Sequence, residues 1–240
     1  MKEKIFEIIR NRFQFRFKNR VTAANVLGEV LKDSIKKYEK NDAVVLGIPR
    51  AGVITADIVA KKLSISNFDI IIARKLTDPD NKEKAIGAVM EDGTVYLNQE
   101  LIAHLQISSD YLEKEKLEQI QEIKRRTALY RKEPRKDFDS FVKDRTVILV
   151  DDGAATGATI IASAKWIRQL KDKPKRLIIA IPVAPNTTVN LLKKECNAEV
   201  VVIISPTSTF HSVEQYHQNF QPISDEQVIR IMKDRKLLLY

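Results

Sequence analysis

The stretch VILVDDGAATGAT, Val147 to Thr159, decides the fold prediction for this chain. Its leading apolar residues are typical of a parallel strand that is buried on both faces. Asp151 and Asp152 follow directly, so they lie at the carboxyl end of that strand, where open α/β sheets bind their ligands. The stretch then continues with small residues, which let a ligand approach the backbone closely. These residues are Gly153, Ala154, Ala155, Thr156, Gly157, Ala158 and Thr159.

A helix is expected to begin at about Ala158, because the residues that follow suit a helix. Its free N–H groups and its dipole favour an anion at the preceding loop. Two carboxylates beside a phosphate cradle predict a ligand with hydroxyl and phosphate groups, and a sugar phosphate fits. The alternative is an acidic strand-to-helix turn without a ligand. Two adjacent like charges repel, however, and they persist more readily where a metal or hydroxyl groups engage them.

The rest of the chain alternates helix and strand, which predicts the α/β class with a parallel sheet covered by helices. Strands are expected at 43–48, 69–74, 147–150, 177–182 and 199–204. Helices are expected at 22–39, 54–63, 187–196 and 225–238, the last capped by Ser224 with Gln227 in the capping-box position. Residues 88–97 are expected to form a hairpin around Glu91, Asp92 and Gly93, because Asp-Gly is a strong turn signal.

A highly charged segment at 108–132 lies within the interval of about seventy residues between Arg74 and Thr146. It is predicted to be a helix with Ser109 as its cap and a partial apolar stripe on one face. The stripe consists of Leu112, Leu117, Ile120, Ile123 and Leu129. Such a helix packs back on its own domain or on a second subunit.

Composition excludes several classes of protein. The 240 residues are 44% hydrophobic and 30% charged, as in ordinary globular proteins. No apolar run approaches the roughly 18 residues of a membrane span, and the start of the chain lacks the apolar core of a secretory signal. The lone Cys196 suits a reducing cytoplasm. With one cysteine and three histidines, His104, His211 and His217, a structural zinc site is not expected, and His211 and His217 lack the spacing of a ligand pair on one helix face.

The net charge of +9 has two interpretations. Positive potential draws a polyphosphate towards a cleft, and it also serves a protein that binds nucleic acid. Much of the excess lies in the first twenty residues, where basic residues alternate with Phe13, Phe15 and Phe17. This alternation indicates either a strand with the aromatic side chains on one face or a surface on which bases stack.

The stretch from Val147 to Thr159 resembles the phosphoribosyl-pyrophosphate (PRPP) motif of type I phosphoribosyltransferases. Further segments resemble a subgroup of bacterial and archaeal members whose acceptor is not settled. These segments are VLGIPRAGV at 45–53, ARKL at 73–76, EKAIGAV at 83–89 and the stretch 206–228. The resemblance therefore extends along nearly the whole chain. It implies the type I phosphoribosyltransferase fold, a Rossmann-like parallel sheet flanked by helices, with a small hood and a helical insertion.

The resemblance also implies roles for the residues of the motif. Asp151 and Asp152 would bind the ribose hydroxyls and, through water, Mg²⁺, while the loop from Gly153 to Thr159 would hold the 5-phosphate. Relatives that act on purines carry a further acidic residue inside this loop. Here Ala154 and Ala155 occupy that part of the loop, so a proton transfer of the purine type is not expected from it.

Cations are expected around the leaving pyrophosphate. By resemblance the loop Pro49, Arg50, Ala51 and Gly52 binds pyrophosphate, with Arg50 as a bidentate clamp. Arg74 and Lys75, expected at a strand end, would complete that pocket, and Glu83 belongs to the subgroup's signature. The alternative is that these are exposed turn and strand-end charges. In the subgroup a basic cluster like Arg125, Arg126, Tyr130 and Arg131 is also present, and its closure over pyrophosphate stays open.

The expected function is magnesium-dependent transfer of the phosphoribosyl group from PRPP to a nucleobase-like or other small nitrogen nucleophile, with release of pyrophosphate. One domain is expected, with a core at about 40–97 and 141–205, a helical insertion at about 98–140 and a hood at about 1–20 and 206–240. Phe210, Tyr216 and Phe220 would form either a stacking wall for the acceptor or a small hood core. A homodimer is expected only by family analogy. The alternatives are a PRPP-sensing regulator that binds RNA or DNA and a hydrolase that releases pyrophosphate to water.

Overall fold

The computed structural model describes residues 16–35, 41–131, 135, 137–207 and 210–236. Within these ranges, parallel strands form a central sheet. The strands are β1 (Ala43–Gly47), β2 (Phe68–Ile70), β6 (Thr146–Val150), β7 (Arg176–Val183) and β8 (Glu199–Ile204). Their order across the sheet is β2-β1-β6-β7-β8. The predicted parallel sheet is therefore confirmed.

Helices cover both faces of this sheet, which explains why its inner strands β1, β6 and β7 are almost continuously apolar. On one face lie α1 (Arg20–Ser34) and α2 (Ala51–Leu63), and on the other lie α6 (Ala158–Gln169) and α7 (Asn186–Cys196). Alternate residues of β6 enter the two cores: Ile148 packs in the first and Leu149 in the second. Every residue of β6 is buried, so each must be apolar or find a hydrogen-bond partner.

A second sheet stands beside the first and is antiparallel. It consists of β3 (Ala73–Thr77), β4 (Ala85–Met90) and β5 (Val95–Leu97), in that order. The predicted hairpin is confirmed, with Gly93 at φ +88° in its turn. The single strand predicted at 69–74 is wrong, because the chain leaves the central sheet after Ile70 and begins β3 at Ala73. Ile71 and Ile72 are both buried in this bend, so the apolar run continues through it and hides the break.

Three helices follow the small sheet: α3 (Gln99–His104), α4 (Ser109–Tyr130) and α5 (Phe138–Val142). The long α4 packs on β3, on β4 and on the last helix, α8 (Asp225–Asp234). Its cap is Ser108 rather than the predicted Ser109, since the Ser108 side chain accepts a hydrogen bond from the Tyr111 N–H. Leu117 does not belong to the buried stripe, because it is 59% exposed.

The hood joins the two ends of the described chain. Phe17 pairs with His217 in an isolated parallel bridge, and the Gln218 N–H donates to the Phe17 carbonyl at 2.8 Å. The predicted facial alternation of Phe13 and Phe15 lies outside the described residues. The predicted capping box of α8 is confirmed, with both Ser224 and Gln227 bonds present. In the described part of the chain, no helix combines the length and apolar character needed to cross a membrane.

A buried ion pair holds α8 against α2. The Arg235 Nε donates to Asp57 Oδ1 at 2.8 Å, and its guanidinium lies 4.7 Å from the centre of the Phe68 ring. The Asp57 and Arg235 side chains are only 9% and 14% exposed. Lys61 gives Asp57 a second, more exposed partner at 2.7 Å.

We expect Arg235→Gln to lower the free energy of unfolding by about 1–2 kcal/mol, because a buried carboxylate loses one of its two cations. Urea denaturation of both proteins measures the difference. The matched control is Arg230→Gln, which changes an exposed arginine of the same helix. Equal stability of the two variants would contradict the anchoring role of the Asp57–Arg235 pair.

Candidate active site

A cleft of about 570 Å³ opens at the carboxyl ends of β1 and β6. Two loops of the central sheet form its floor, the small sheet forms one wall and the hood forms another. The floor consists of Pro49, Arg50, Ala51 and all nine residues from Asp151 to Thr159; the walls consist of Lys75, Glu83, Ala85, Arg20, His211, Ser212, Val213, Glu214, Phe220, Pro222 and Ile223. Segments that are far apart in sequence thus meet at the edge predicted to bind ligands.

The two adjacent carboxylates lie directly after β6. The Asp152 N–H donates to Asp151 Oδ1 at 2.8 Å, which holds the first carboxylate against the backbone of the second. Burial raises the pKa of the Asp151 carboxyl well above its ordinary value, and the negative charge of Asp152 raises that pKa further. Lys75, on the cleft wall, acts in the opposite direction on the same pKa. The charged form of Asp151 is therefore disfavoured at this position, and a cation bound beside it would favour that form.

The loop after the carboxylates leads into α6 without a side-chain cap. Gly157 occupies the cap position in the left-handed region, at φ +73°, which glycine adopts at little cost. The Ile161 N–H donates to the Gly157 carbonyl at 2.9 Å, so the N–H groups of Thr159 and Ile160 precede the hydrogen-bond ladder of the helix. These groups and the helix dipole make the loop suitable for an anion.

Two hydrogen bonds tie this loop to its surroundings. The Ala154 N–H donates to the Val183 carbonyl at 2.9 Å, and the Thr188 hydroxyl donates to the Ala155 carbonyl at 2.5 Å. The loop is thus attached both to β7 and to α7 before any ligand binds. A preformed cradle costs less ordering on binding than a mobile loop does.

The loop after β1 approaches the carboxylates closely. The peptide bond between Pro49 and Arg50 is cis. A Cβ atom at Gly52 would lie 2.8 Å from Asp151 Oδ1 and 2.9 Å from Asp151 Cα, which is closer than real Cβ contacts permit. Gly52 therefore does not line the cleft but allows the two floor loops to touch. The Arg50 side chain is 44% exposed, and its Nη1 lies 3.8 Å from Asp225 Oδ1.

Lys75 and Arg74 face opposite sides of β3, as neighbouring residues of a strand do. Lys75 lines the cleft. Arg74 is directed at α4, where its Nε donates to Gln119 Oε1 at 2.9 Å. Burial lowers the pKa of the Arg74 guanidinium, and the nearby charge of Arg126 lowers it further. Arg74 and Lys75 were expected together at the end of a central strand, but both lie within β3, where neighbouring side chains point in opposite directions. The structure therefore places Lys75 at the cleft and Arg74 outside it.

The basic end of α4 does not line this cleft. Arg125 and Arg126 both donate to Glu122, and the pKa of that carboxyl is lowered to about 2, chiefly by the hydrogen bond from Arg125. The Tyr130 hydroxyl donates to Asp225 Oδ1 at 2.5 Å. Arg131 instead pairs with the buried Asp69, at a separate cavity of about 370 Å³.

Arg20 is a cleft residue that the sequence did not single out. Its Nε donates to Asp152 Oδ2 at 2.8 Å, and its guanidinium carbon lies 3.6 Å from the centre of the Phe220 ring. In sequence it is one of many cations near the N-terminus, and 132 positions separate it from Asp152. The hood pairing of Phe17 with His217 helps to bring it to the carboxylates.

The three hood aromatics were expected to form either a wall of the acceptor site or a small core within the hood, and the structure places them differently from one another. Phe220 lines the cleft. Phe210 and Tyr216 stack on each other, with ring centres 5.9 Å apart and planes at 16°. His217 is buried between the rings of Phe17 and Phe220, and burial lowers its pKa.

The donor atoms on the cleft floor fit a hard divalent cation only in part. In the residues that the structure describes, no group of three or more His, Cys, Asp or Glu side chains is arranged to hold a metal ion. The Asp151 and Asp152 oxygens are the type of ligand that Mg²⁺ prefers, and Mg²⁺ is commonly held by one or two carboxylates together with substrate phosphates and water. These residues therefore fit a magnesium ion that arrives with a phosphorylated ligand.

Comparison with known proteins identifies the class to which this fold and cleft belong. Residues 18–220 match the model of the phosphoribosyl transferase domain, so the chain belongs to the phosphoribosyl transferase family. It is similar to proteins from two strains of Mycobacterium tuberculosis, both named "Putative phosphoribosyl transferase", with 30% identity over 206 residues. That alignment covers 85% of this chain and 44% of each relative, so the chain spans less than half the length of these relatives.

A solved structure supports the same fold. The crystal structure of TT1426 from Thermus thermophilus is similar to this chain, with 34% sequence identity and a TM-score of 0.70. The similarity covers 94% of this chain and 100% of that one. The match thus extends over nearly the whole of this chain.

The raised pKa of Asp151 has a consequence for stability. A group whose pKa is higher in the folded state stabilises the fold only while it is protonated there, so this contribution is lost as pH rises through the folded-state pKa. We therefore expect the wild type to lose stability relative to Asp151→Asn as pH rises above about 4, the ordinary aspartate range, so that Asp151→Asn is the more stable protein at neutral pH.

Thermal unfolding measured across pH, without ligand, checks this expectation. Asp80→Asn is the matched control, because Asp80 is exposed. Parallel curves for the wild type and Asp151→Asn would show that the carboxylate pair carries no such penalty.

Proposed function

We propose that this protein is a magnesium-dependent phosphoribosyltransferase that uses PRPP. It transfers the phosphoribosyl group to a nucleobase-like or other small nitrogen nucleophile and releases pyrophosphate. The observation that carries the proposal is the meeting of a carboxylate pair, a phosphate cradle and two cations, Arg50 and Lys75, around one cleft. Each of these features would bind one part of PRPP: the cradle the 5-phosphate, the carboxylates the ribose hydroxyls and the cations the pyrophosphate.

The 5-phosphate would bind at the loop from Ala155 to Thr159. There the small side chains, the Thr156 and Thr159 hydroxyls and the N–H groups at the start of α6 are available. The positive end of the helix dipole favours a phosphate at this position. Ala154 is held by β7, so the cradle keeps its shape as the phosphate arrives.

The ribose hydroxyls would then lie over Asp151 and Asp152. Carboxylate oxygens accept hydrogen bonds from both hydroxyls, and their negative charge favours the oxocarbenium-like character that the ring acquires. Magnesium, when bound, supplies positive charge that neutralises the leaving pyrophosphate. The two aspartates would hold that ion directly or through water.

Pyrophosphate would leave on the side of Arg50 and Lys75. The bond between C1 and the pyrophosphate oxygen breaks, a bond between C1 and the acceptor nitrogen forms, and the proton of that nitrogen passes to water. The two cations stabilise the negative charge that develops on the leaving group. Arg50 is exposed and close to Asp225, so its guanidinium can turn into the cleft when a polyphosphate binds.

Calorimetric titration with PRPP, with and without magnesium, tests the assignment. We expect magnesium-dependent binding to the wild type, and a loss of about 100-fold or more in the Asp151→Asn/Asp152→Asn double variant, since several charge-assisted contacts disappear together. Asp80→Asn is the control for the loss of an aspartate charge. Undiminished PRPP binding by the double variant would overturn the assignment.

The same titration, followed by an assay of turnover, separates this function from the two alternatives. Turnover of PRPP without any acceptor would identify a hydrolase. PRPP binding without turnover, together with a salt-dependent gel shift on RNA or DNA, would favour a regulator. The basic arm on which the regulatory interpretation depends comprises residues 1–20, of which only those from Arg16 onwards are described.

The two basic residues of β3 should differ in their effect on pyrophosphate affinity. We expect Lys75→Gln to weaken binding of magnesium pyrophosphate about tenfold, because a charge-assisted contact is lost. Arg74→Gln should leave that affinity nearly unchanged, because Arg74 faces α4. Calorimetry with pyrophosphate measures both. An equal loss in the two variants would contradict the opposite orientation of these side chains.

A further inference from the structure

Arg20 occupies a fixed position between the carboxylates and the hood. It is the first residue of α1, whose N-cap is Asn19. The preceding residues are hydrogen-bonded to the other hood segment, with the Asn219 N–H donating to the Lys18 carbonyl at 3.1 Å. A helix start and a paired strand segment thus set the origin of the Arg20 side chain, so its direction does not depend on a mobile loop.

Three contacts hold the guanidinium itself. Its Nε donates to Asp152 Oδ2 at 2.8 Å, its Nη1 donates to the Gln221 carbonyl and its central carbon lies 3.6 Å from the centre of the Phe220 ring. The side chain is only 11% exposed. Among the residues that the structure describes, Nη2 has no hydrogen-bond partner. The contacts therefore fix the group while leaving N–H donors that can serve a ligand.

In the proposed function, the Arg20 guanidinium lies on the side of the cleft from which the acceptor would attack the ribose. Asp152 would hold the ribose, so the reacting carbon lies above it, and Arg20 and Phe220 stand on the hood side of the same carboxylate. A planar acceptor attacking from that side would meet the guanidinium of Arg20, which covers one face of the Phe220 ring. Phe220 thus supports the guanidinium from behind and offers the acceptor an apolar ring edge.

A guanidinium can donate hydrogen bonds but cannot accept them. The edge of the acceptor that faces Arg20 must therefore carry oxygen or another acceptor atom. An amino group in the same position would oppose donor to donor and leave a buried group without a partner, which costs more than a lost contact. A site built to bond one such group rejects an analogue that lacks it by a large factor.

We propose that Arg20 is the residue that selects the acceptor, and that the acceptor is a planar nitrogen heterocycle with a carbonyl oxygen on the edge that faces the hood. This inference rests on the proposed function. It goes beyond that function by naming the specificity residue and the chemical class of the acceptor. Arg20 reaches Asp152 on one side and the acceptor on the other, so it also aligns the two substrates.

Matched pairs of bases test the inference. Hypoxanthine and adenine differ by exchange of an exocyclic carbonyl oxygen for an amino group at one ring carbon, and uracil and cytosine differ in the same way. Pyrophosphate release at saturating PRPP gives kcat/KM for each base, and calorimetry gives the affinity of each base for the PRPP-loaded protein. We expect the wild type to prefer the oxygen-bearing member of a pair, and Arg20→Gln to reduce that preference by about 10- to 100-fold.

The ratio within a pair is the decisive quantity, because a loss of stability or of PRPP affinity acts on both members equally. Arg230→Gln is the control for the loss of one exposed positive charge, and thermal unfolding of Arg20→Gln checks its fold. An unchanged ratio in Arg20→Gln, a preference of the wild type for the amino members, or binding of none of the four bases would overturn the inference. Failure of the wild type to bind PRPP would instead overturn the proposed function.

Discussion

The crowding of two carboxylates at the end of a fully buried strand is the constraint on which the rest of the site depends. β6 brings Asp151 and Asp152 to the floor of the cleft, where burial and mutual repulsion raise the pKa of Asp151. Lys75 from the small sheet and Arg20 from the hood both act on this pair. Gly52 is required because any side chain there would collide with Asp151. The hood, the small sheet and the two floor loops thus all lie around the negative charge of this carboxylate pair.

Charge balance also explains the arrangement around the pyrophosphate side. Arg50 remains exposed beside Asp225, which in turn accepts a hydrogen bond from Tyr130 of α4. The start of α8, the end of α4 and the loop after β1 therefore meet at one carboxylate. A ligand that draws Arg50 into the cleft would change the environment of Asp225, so binding at the floor is physically connected to the packing of α4.

The sequence predicted most of the fold and the floor of the site, because both depend on local patterns. Continuous apolar runs identified the strands of the central sheet, and the small residues after Asp152 identified the loop. What it missed depends on contacts between distant residues. The buried run through Ile71 and Ile72 concealed the point at which the chain leaves the central sheet. Arg74 was therefore expected to line the pyrophosphate pocket together with Lys75. Nothing near Arg20 in sequence distinguishes it from its basic neighbours; only its pairing with Asp152 and Phe220 does.

A crystal structure of the protein grown with ribose 5-phosphate and magnesium would locate the bound ligand directly. We expect the phosphate on the backbone N–H groups between Thr156 and Ile160, and the ribose hydroxyls within hydrogen-bond distance of Asp151 and Asp152. A phosphate bound elsewhere, for example beside Arg131 at the separate cavity, with the floor loops unoccupied, would contradict this expectation.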